Sequence, residues 1–522
     1  MTVELYNKGD TDVENIQLNV NIENNNLLFI PKKTYNIPNL SAGKSTEIHI
    51  FVFGFGSGIF YDYPLITLTV DSSSIQTFWK MVTISIIGVK TKIFNEITFN
   101  QESFEGYTIF APEFSTYTYL IDKNGKIVHT WESDYIQGFG TYLLENRNLL
   151  RLDLPGVNPT FRAGGIAGRV EKFDERSNLI WEFEYFDDQY CAHHDIEPLP
   201  NGNVLLIAWE YKTREESINA GRNPDRLKGN SLWPDHIVEV EPTGSIGGKI
   251  VWEWHVWDHL IQDYDPIKDN YGVVEDHPEL IDINYGDVGN HYADWNHCNS
   301  IDYNEELDQI VVSVRVFNEI WVIDHSTTTE EASGHIGGNS GKGGDILYRW
   351  GNPQAYKAGI ASDQKFFAQH GTIWIEEGCP GEGNLLVFNN GNINRPYSSV
   401  DEIVPPIDSS GNYIINLGEA YGPDEPIWSY NAENPTELYS GLLSNAQRLP
   451  NGNTLLCSAK QGLFLEITPD KNVAWEYKNY LPTERRNDVA RVERYPLDYP
   501  GIPKIKSKSV DEIWMSLNDL FN

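Results

Sequence analysis

The sequence is poor in positive charge. Its 522 residues include 39 lysines and arginines against 75 aspartates and glutamates, which gives a formal net charge of −36 at pH 7. Nucleic acids and anionic membranes both bind to cationic protein surfaces. We therefore expect neither as a partner, and an anionic ligand needs a local group of arginine, lysine and histidine side chains inside an acidic exterior.

Long hydrophobic runs and paired cysteines are also missing. No stretch of about 18 apolar residues occurs, so we expect no membrane-spanning helix. The four cysteines contain no C-x-x-C pair and define no redox compartment. The chain starts as MTVELYN, without the regions of a signal peptide. The protein is then either cytoplasmic or begins after its export signal, and we favour the second because these residues resemble the middle of a domain.

Residues 1–90 predict an antiparallel β-sandwich of roughly immunoglobulin type. Short runs such as IQLNVNIE, TEIHIFVF and LITLTV alternate polar and apolar residues, and turn residues separate them. No cluster of catalytic residue types occurs here. We interpret this segment as an interaction domain through which the chain forms a homo-oligomer.

Residues 91–501 contain a repeat that predicts a six-bladed β-propeller. Each copy consists of an acidic strand end, a turn and a tryptophan-bearing strand, as in KFDERSNLIWEFE. We expect each tryptophan to pack between neighbouring blades. The six tryptophans are Trp131, Trp181, Trp252, Trp350, Trp428 and Trp475. Residues 502–522 are read as a short C-terminal tail.

A second repeat carries histidines. The phrase CAHHDIEPLPNGNVLLIA, residues 191–208, returns as SNAQRLPNGNTLLCSA at 444–459, with weaker copies at 143–151, 297–313 and 369–388. The turn LPNGN suits a hairpin. Three copies start with His193-His194, His297 or His370. Because the inner strand of each blade lines the propeller axis, we expect these histidines to meet there.

The geometry of a β-strand indicates which of these side chains face the channel. Successive strand residues face opposite sides, so we expect only one of His193 and His194 to face the channel, and Asn299 to share a face with His297. Arg315 is placed in an apolar strand, IVVSVRVFNEIWVID, where a charge needs a partner or an anionic ligand. Histidine with Cys191 and Cys298 fits zinc or copper, but the spacing matches no closed metal motif. The alternative interpretation is that the imidazole acts as nucleophile and base while arginine holds the oxygens of an anionic substrate.

These residues together resemble the arylsulfotransferase family. The matching phrases are HHDIEPLPNGN, DWNHCNSIDYN, VSVRVFNEIWVIDHS, FFAQHGTIW and LLVFNNGNINRP, within a likeness over Ser103–Gly501. The resemblance implies a six-bladed propeller, often after a β-sandwich. It also implies transfer of a sulfuryl group from a phenolic sulfate ester to a phenol, without a nucleotide sulfate donor, and a periplasmic or secreted location.

The resemblance also implies roles for single residues. His370 stands where the family has its sulfurylated histidine, and Arg315, His297 and Asn299 match residues that bind the sulfuryl oxygens and assist proton transfer. His193 or His194 matches the remaining catalytic histidine. Of these two, His194 is preferred because Asp195 follows it.

Two further residues and two departures complete the comparison. Asn389 and Arg395 are candidate substrate contacts, although Arg395 fits an ordinary loop cation equally well. Neither a cofactor nor a metal is implied. Enterobacterial members carry a disulfide near the nucleophile, whereas Cys379 has no close partner, and Gly371 follows His370 where an acidic residue is common. A non-catalytic ligand-binding or scaffold propeller and a metal-dependent propeller hydrolase are the alternatives.

Overall fold

The computed structural model describes residues 90–286, 293–416, 418–481 and 487–504. Before them it describes the segments 2–6, 12–23, 28–29, 32–41, 44–49, 53–54, 65–72 and 75–87. Nearly all regular structure in these residues is β-strand, which confirms the predicted all-β class. None of the helices in the described ranges combines the length and the apolar character that crossing a membrane requires.

Nine strands precede residue 100. They are β1 (Thr2–Tyr6), β2 (Val13–Glu23), β3 (Leu28–Phe29), β4 (Thr34–Leu40), β5 (Ser45–His49), β6 (Phe53–Gly54), β7 (Leu65–Ser72), β8 (Ile75–Ile87) and β9 (Lys90–Phe99). Five of them form one antiparallel run in the order β9-β8-β7-β2-β4, while β1 pairs with β5 and β3 with β6. The facing side chains of a sandwich would come largely from residues 49–96, whose side chains lie outside the described ones. The sandwich and the domain boundary near residue 90 therefore stay predictions.

The first three blades lie in chain order. Blade 1 contains β10 (Gly106–Pro112), β11 (Tyr117–Asp122) and β12 (Ile127–Glu132). Blade 2 contains β13 (Ile136–Leu143), β14 (Leu149–Leu154), β15 (Arg169–Phe173) and β16 (Leu179–Glu184). Blade 3 contains β17 (Tyr190–Pro198), β18 (Val204–Glu210), β21 (Asp235–Pro242) and β22 (Gly248–His255), with an insertion made of β19 (Lys212–Thr213), helix α1 (Arg214–Asn219), a 3-10 turn (Pro224–Arg226) and β20 (Ser231–Leu232).

A second insertion leads from blade 3 to blade 4. It contains 3-10 turns at Val256–His259 and Val274–Asp276 and the short strands β23 (Leu260–Ile261) and β24 (Ile281–Asp282). Blade 4 contains β25 (Cys298–Asn304), β26 (Gln309–Val314), β27 (Glu319–Asp324), helix α2 (Thr329–Ala332) and β28 (Tyr348–Trp350). Two 3-10 turns, Pro353–Tyr356 and Ala361–Asp363, precede blade 5.

The last two blades complete the ring. Blade 5 contains β29 (His370–Trp374), β30 (Leu385–Asn389), β31 (Ser399–Ile403) and β32 (Trp428–Tyr430), followed by a 3-10 turn at Pro435–Glu437. Blade 6 contains β33 (Asn445–Arg448), β34 (Thr454–Ser458), a 3-10 turn (Ala459–Gln461), β35 (Leu463–Ile467) and β36 (Val473–Lys478), and β37 (Val489–Pro496) follows it.

Strand β37 closes the ring by returning to blade 1. It pairs antiparallel with β10, so blade 1 takes its innermost strand from the end of the chain. Each inner strand also contacts the inner strand of the next blade, in the cycle β37-β13-β17-β25-β29-β33. The six-bladed propeller is therefore confirmed.

The predicted tryptophan repeat holds neighbouring blades together. All six tryptophans lie in the outermost strand of a blade, and each donates its indole N–H to the turn before the outermost strand of the next blade. The acceptors, in ring order, are the carbonyls of Asp174 and Gly247, the Thr327 hydroxyl, and the carbonyls of Pro423, Pro469 and Lys123. The expectation that these residues pack between blades is confirmed.

Strand β9 joins the N-terminal strands to the propeller. It pairs with β36, the outermost strand of blade 6, on one side and with β8 on the other. Ile97 is 3% exposed and packs in one core cluster with Trp475 and Tyr477. The sheet of blade 6 therefore continues into the N-terminal strands.

Candidate active site

The inner strands of all six blades line one cavity on the propeller axis. The lining residues are Phe139, His194, Asp195, Asn299, Ser300, His370, Gly371, Leu443, Ser444, Asn445, Ala490 and Arg491. The predicted residues His194, Asn299 and His370 are among them. They are as far as 176 positions apart in the sequence, and the ring of blades brings them together.

The hydrogen bonds of His370 determine which ring nitrogen carries its proton. Nδ1 lies 2.8 Å from Asn390 Oδ1 and 3.1 Å from the Ala368 carbonyl oxygen. The Asn390 amide nitrogen donates to the carbonyls of Ser440 and Leu443, which fixes its oxygen towards His370. Because both partners of Nδ1 are acceptors, Nδ1 carries the proton and Nε2 keeps its lone pair.

The His370 imidazole is held neutral. Its pKa is lowered to about 3, first by burial and then by the nearby charge of Arg315, against the hydrogen bond that His370 donates to Asn390, which raises it. The ring is 4% exposed and lines the cavity. A neutral imidazole with a free nitrogen is a nucleophile at neutral pH.

A chain of hydrogen bonds orients His194. Its Nδ1 lies 2.8 Å from Nδ1 of His193, whose Nε2 lies 3.0 Å from Asp235 Oδ1. The second oxygen of Asp235 accepts the Cys298 backbone N–H, and the His193 ring stacks on Trp209 at 3.9 Å. With an ionised Asp235 and neutral rings, each histidine donates towards the carboxylate. The Nε2 lone pair of His194 is then free.

Only one of the adjacent histidines faces the axis, as the strand alternation predicts. His194 lines the cavity, whereas His193 is fully buried behind it. The register of β17 shifts between Ala192 and Ile196, and His194 has a φ of 58°. Asp195 does not orient His194 as expected from the sequence, because its carboxylate binds the Tyr142 hydroxyl and Arg491.

His297 forms a second pair with a carboxylate. Its Nδ1 lies 2.5 Å from Asp294 Oδ2, and the other oxygen of Asp294 accepts the Trp209 indole N–H at 3.0 Å. Burial raises the pKa of Asp294, but the charge and hydrogen bond of His297 outweigh it, so that the pKa is lowered. The His297 and His194 rings lie 4.5 Å apart. Two imidazoles, those of His194 and His297, therefore lie near His370.

Arg315 provides the cationic group. Strand β26 ends at Val314, so Arg315 lies in the turn to β27. The prediction that Arg315 lies within one continuous apolar strand is therefore wrong. Its charge acts on both His370 and His194, lowering the pKa of each after the larger effect of burial. Its Nε is buried and has no hydrogen-bond partner among the described residues. Arg315 itself is not among the residues that line the cavity, but its charge acts on His370 and His194, which do line it, so an anionic ligand beside these two histidines would satisfy it.

Of the three predicted substrate contacts, Asn299 lines the cavity, whereas Asn389 and Arg395 lie outside it. The amide nitrogen of Asn299 donates to the Gln369 carbonyl, and its buried oxygen has no partner in the described part of the chain. Asn389 contacts Lys365, Phe367 and Asp401 inside blade 5. Arg395 donates to Tyr397 and Ser399. Neither Asn389 nor Arg395 lines the cavity.

The aromatic residue at the cavity is Phe139. Three aromatic residues next to or within the matched phrases, Trp295, Phe366 and Phe388, are 0% exposed and do not line it. Phe139 lines the cavity with its ring 6.2 Å from that of His194. Nothing in its sequence, QGFGTY, marks it as a ligand contact.

The cysteines stay apart from this chemistry. All four are free and buried. Burial raises the pKa of Cys191 and Cys298, so that both remain thiols, which are poor metal ligands. The cysteines therefore do not support the hypothesis that Cys191 and Cys298 bind zinc or copper together with the histidines.

Sequence reasoning missed the residues that position the histidines. Asn390 is the neighbour of the predicted Asn389, Asp294 lies three positions before His297, and Asp235 is the first residue of β21, directly after Trp233-Pro234. Asp294 could have been found as the acidic residue in the matched phrase DWNHCN. Asn390 could have been found in the same way, because it lies in the matched phrase LLVFNNGNINRP. Asp235 carries no such signal, because its partner His193 is 42 positions away.

Arg491, on strand β37, also lines the axial cavity. It also lines a second cavity with Glu197, Asp302, Glu376 and Glu493. Its guanidinium binds Glu493 and Asp195. The axis is therefore divided into a chamber with histidines and an acidic chamber, with Arg491 between them.

Comparisons with known proteins agree with this arrangement. A family model described as Arylsulfotransferase (ASST) matches residues 89–489, more than half of the chain. Arylsulfate sulfotransferase AssT of Escherichia coli O6:H1 (strain CFT073) is 23% identical over 300 residues, which are 51% of this chain and 44% of that protein. The match thus spans less than half of the length of this relative.

Solved structures of other proteins are more distant. Virginiamycin B lyase from Staphylococcus aureus has a TM-score of 0.32 at 10% identity, over 77% of this chain and 88% of that one. A luciferin-regenerating enzyme has a TM-score of 0.30 at 9% identity, over 79% of this chain and 99% of that one. The family match, by contrast, runs through all six blades and includes His194, His297, Arg315 and His370, and we conclude that the chain belongs to the arylsulfotransferase family.

Proposed function

We propose that the protein is an aryl-sulfate sulfotransferase that works through a sulfohistidine on His370. It moves a sulfuryl group from a phenolic sulfate ester to a phenol and needs no nucleotide sulfate donor. The observation that carries this proposal is the orientation of His370, whose Nδ1 proton is held by Asn390 and Ala368 and whose Nε2 is unprotonated. Membership of the family supports the same class of reaction.

In the first half-reaction Nε2 of His370 attacks the sulfur of the donor. The N–S bond forms, the bond between sulfur and the aryl oxygen breaks, and the phenolate leaves with the electron pair. His194 or His297 takes up a proton from solvent at Nε2 and gives it to the phenolate. Sulfuryl transfer resembles phosphoryl transfer in needing little beyond positioning and charge compensation on the equatorial oxygens. Arg315 supplies that compensation.

In the second half-reaction an acceptor phenol takes the place of the first. The same imidazole removes its proton, the phenol oxygen attacks sulfur, and the N–S bond breaks to restore neutral His370. One narrow cavity serves both substrates because the first phenol leaves before the second enters. The kinetics are therefore ping-pong.

The environment of the site fits small aromatic substrates. Phe139 offers a ring against which an aryl group can stack. The partners are then an anionic aryl sulfate and a phenol. Given the likeness to the family, we place the protein outside the cytoplasm, and we propose that residues 1–90 form a separate domain that serves oligomerisation.

The test uses a chromogenic phenyl sulfate with and without an acceptor phenol. Transfer requires the acceptor, whereas a sulfatase releases phenol equally well without it, and a scaffold protein releases none. Mass spectrometry of protein mixed with donor alone should show the mass of one SO₃ group added and then lost when a phenol is supplied. His370→Asn should abolish both adduct and transfer. Intersecting double-reciprocal lines, or an adduct that persists in His370→Asn, would refute the proposal.

A further inference from the structure

A second histidine group lies outside the axial cavity. His259 belongs to the 3-10 turn that follows blade 3, and His335 and Asp345 belong to the glycine-rich excursion between β27 and β28 of blade 4. One ligand atom from each of the three lies within 4.8 Å of the others. In the described ranges this is the one group of three His, Cys, Asp or Glu side chains with ligand atoms so close.

The hydrogen bonds of His259 leave a lone pair facing a carboxylate. Its Nε2 lies 2.9 Å from the Ala332 carbonyl oxygen, which only accepts, so a neutral His259 carries its proton there. Its Nδ1 then faces Asp345 Oδ1 at 3.0 Å without a proton between them. His335 Nδ1 lies 2.7 Å from the same oxygen. The Nδ1 atoms of both histidines and one carboxylate oxygen therefore converge on one point, where a metal ion would replace the proton of His335 Nδ1.

We propose that His259, His335 and Asp345 bind one divalent transition-metal ion of the zinc class. Two imidazole nitrogens and one carboxylate oxygen suit Zn²⁺, which binds them at about 2.0–2.2 Å, whereas calcium and magnesium prefer sites made mostly of oxygen. Ligand atoms around such an ion lie about 3.3 Å apart. His335 makes the small outward movement required, because its side chain is 60% exposed.

The surroundings hold the other two ligands in place. The bond from His259 Nε2 to a backbone carbonyl is the usual second contact of a metal-bound imidazole and fixes Nδ1 as the ligand. The His259 ring stacks on Trp254, whose indole donates to the Gly344 carbonyl. A Cβ at Gly344 would lie 1.9 Å from the Ala332 oxygen, so the chain passes here only as glycine.

The ion has a structural role. It joins the turn after blade 3 to the excursion of blade 4, and none of its ligands lines the axial cavity. Water fills the fourth position, on the exposed side of His335. Bound zinc therefore stabilises the fold, by an amount that grows with its concentration.

The test compares thermal unfolding of the full chain, dialysed against chelator, with and without added ZnCl₂. At about a hundredfold excess over the dissociation constant, zinc should raise Tm by on the order of 3 °C in the wild type. His335→Ala should bind zinc at least about 10-fold more weakly and therefore lose at least about half of this shift. His277→Ala is the matched control, since His277 is 46% exposed and pairs with Glu279.

Substitution with Co²⁺ adds a spectroscopic readout. A tetrahedral site gives visible d–d absorption in the wild type and in His277→Ala, and one equivalent saturates it. The absence of a zinc-dependent Tm shift in the wild type would overturn the proposal. An equal shift in His335→Ala would do the same, because it would place the ion elsewhere.

Discussion

His370, His194 and His297 each have one ring nitrogen held by a hydrogen bond and the other left for substrate. Asn390 holds the first, His193 with Asp235 the second, and Asp294 the third. These partners decide which nitrogen is a lone pair and which a donor. The chemistry of the site therefore depends on residues that do not touch the substrate.

The role of Arg315 predicts a strong effect of a conservative change. In the proposed mechanism its planar guanidinium contacts two sulfuryl oxygens at once, which a lysine ammonium would not reproduce. Arg315→Lys should keep the fold and lose about 10²-fold in kcat, as when one oxyanion donor is removed. Arg395→Lys is the matched control, because that guanidinium is engaged by Tyr397 and Ser399. Unchanged turnover in Arg315→Lys would remove Arg315 from the site.

The Asp235 carboxylate sets the tautomers of His193 and His194, so its replacement by an amide should reverse both. In Asp235→Asn the amide oxygen keeps the Cys298 N–H, and the amide nitrogen donates to His193 Nε2. The His193 proton then lies on Nδ1, and His194 carries its own on Nε2, where it no longer acts as a base. We expect kcat/KM for the acceptor phenol to fall by at least about 10²-fold while the circular dichroism spectrum stays unchanged. An acceptor kcat/KM equal to that of the wild type would show that His297 alone transfers the proton.

The lowered pKa of His370 predicts acid sensitivity. The folded pKa is about 3, whereas an unfolded histidine titrates near about 6.5. Since the unfolded chain binds more protons between these values, stability falls as the pH drops below about 6.5. At about pH 5, His370 alone lowers the free energy of unfolding by about 2 kcal/mol. Urea unfolding at about pH 7.5 and pH 5 should show that His370→Asn loses correspondingly less. Equal losses in the two proteins would contradict the shifted pKa.

At the scale of the strands, both repeats were readable from the sequence. The tryptophan repeat marks the outermost strand of every blade, because each indole N–H has an acceptor in the next blade. The histidine repeat marks the inner strands of blades 2 to 6. It has only five copies, because blade 1 combines β10 with β37 from the far end of the chain. Arg491, on β37, was missed for this reason.

Other features depend on contacts that no local pattern encodes. Asp235 reaches His193 across 42 positions, and the three metal-site residues come from two insertions. The run VSVRVFNE looks like one strand because Val, Phe and Arg do not signal a turn, yet Arg315–Asn318 is the hairpin between β26 and β27. The histidines were predictable because they start repeated strands. Their partners carry no repeat, since Asp235 starts the third strand of its blade and Asp294 and Asn390 lie between strands.

Strand β9 predicts where the N-terminal strands can be removed. Deletion of residues 1–89 retains β9, and deletion of residues 1–99 removes it from the edge of β36. Ile97 alone contributes on the order of 2 kcal/mol through its burial, and its loss uncovers Trp475 and Tyr477. The shorter deletion should therefore keep a folded, active propeller with altered oligomeric state, and the longer one should melt earlier and aggregate.

The two truncated proteins are compared by thermal circular dichroism and size-exclusion chromatography. If the shorter deletion unfolds completely, the predicted boundary near residue 90 is wrong. If both truncated proteins have the same Tm, blade 6 does not need β9 for its stability. In either case the pairing seen between β9 and β36 would not be what stabilises the sixth blade.

The whole molecule combines an acidic exterior with a divided axis. The net charge is −36, and Glu197, Asp302, Glu376 and Glu493 line the chamber beyond Arg491. Burial raises the pKa of Asp302 to about 7, which limits the negative charge held there. Arg315 acts on the other chamber, with His370 and His194. An anionic sulfate ester is therefore favoured only in the histidine chamber.

This charge distribution predicts an unusual response to salt. The exterior repels an anionic donor until it reaches Arg315, and salt shortens the range of that repulsion from about 30 Å at 0.01 M to about 8 Å at 0.15 M. We expect kcat/KM for the sulfate donor to rise about two- to threefold over this range, because encounter becomes easier. The kcat/KM for an uncharged phenol should hardly change, and it serves as the control within the same experiment. Initial rates with each substrate varied in turn give both values. A donor kcat/KM that falls with salt would show that the local field of Arg315, and not the exterior, governs the approach of the substrate.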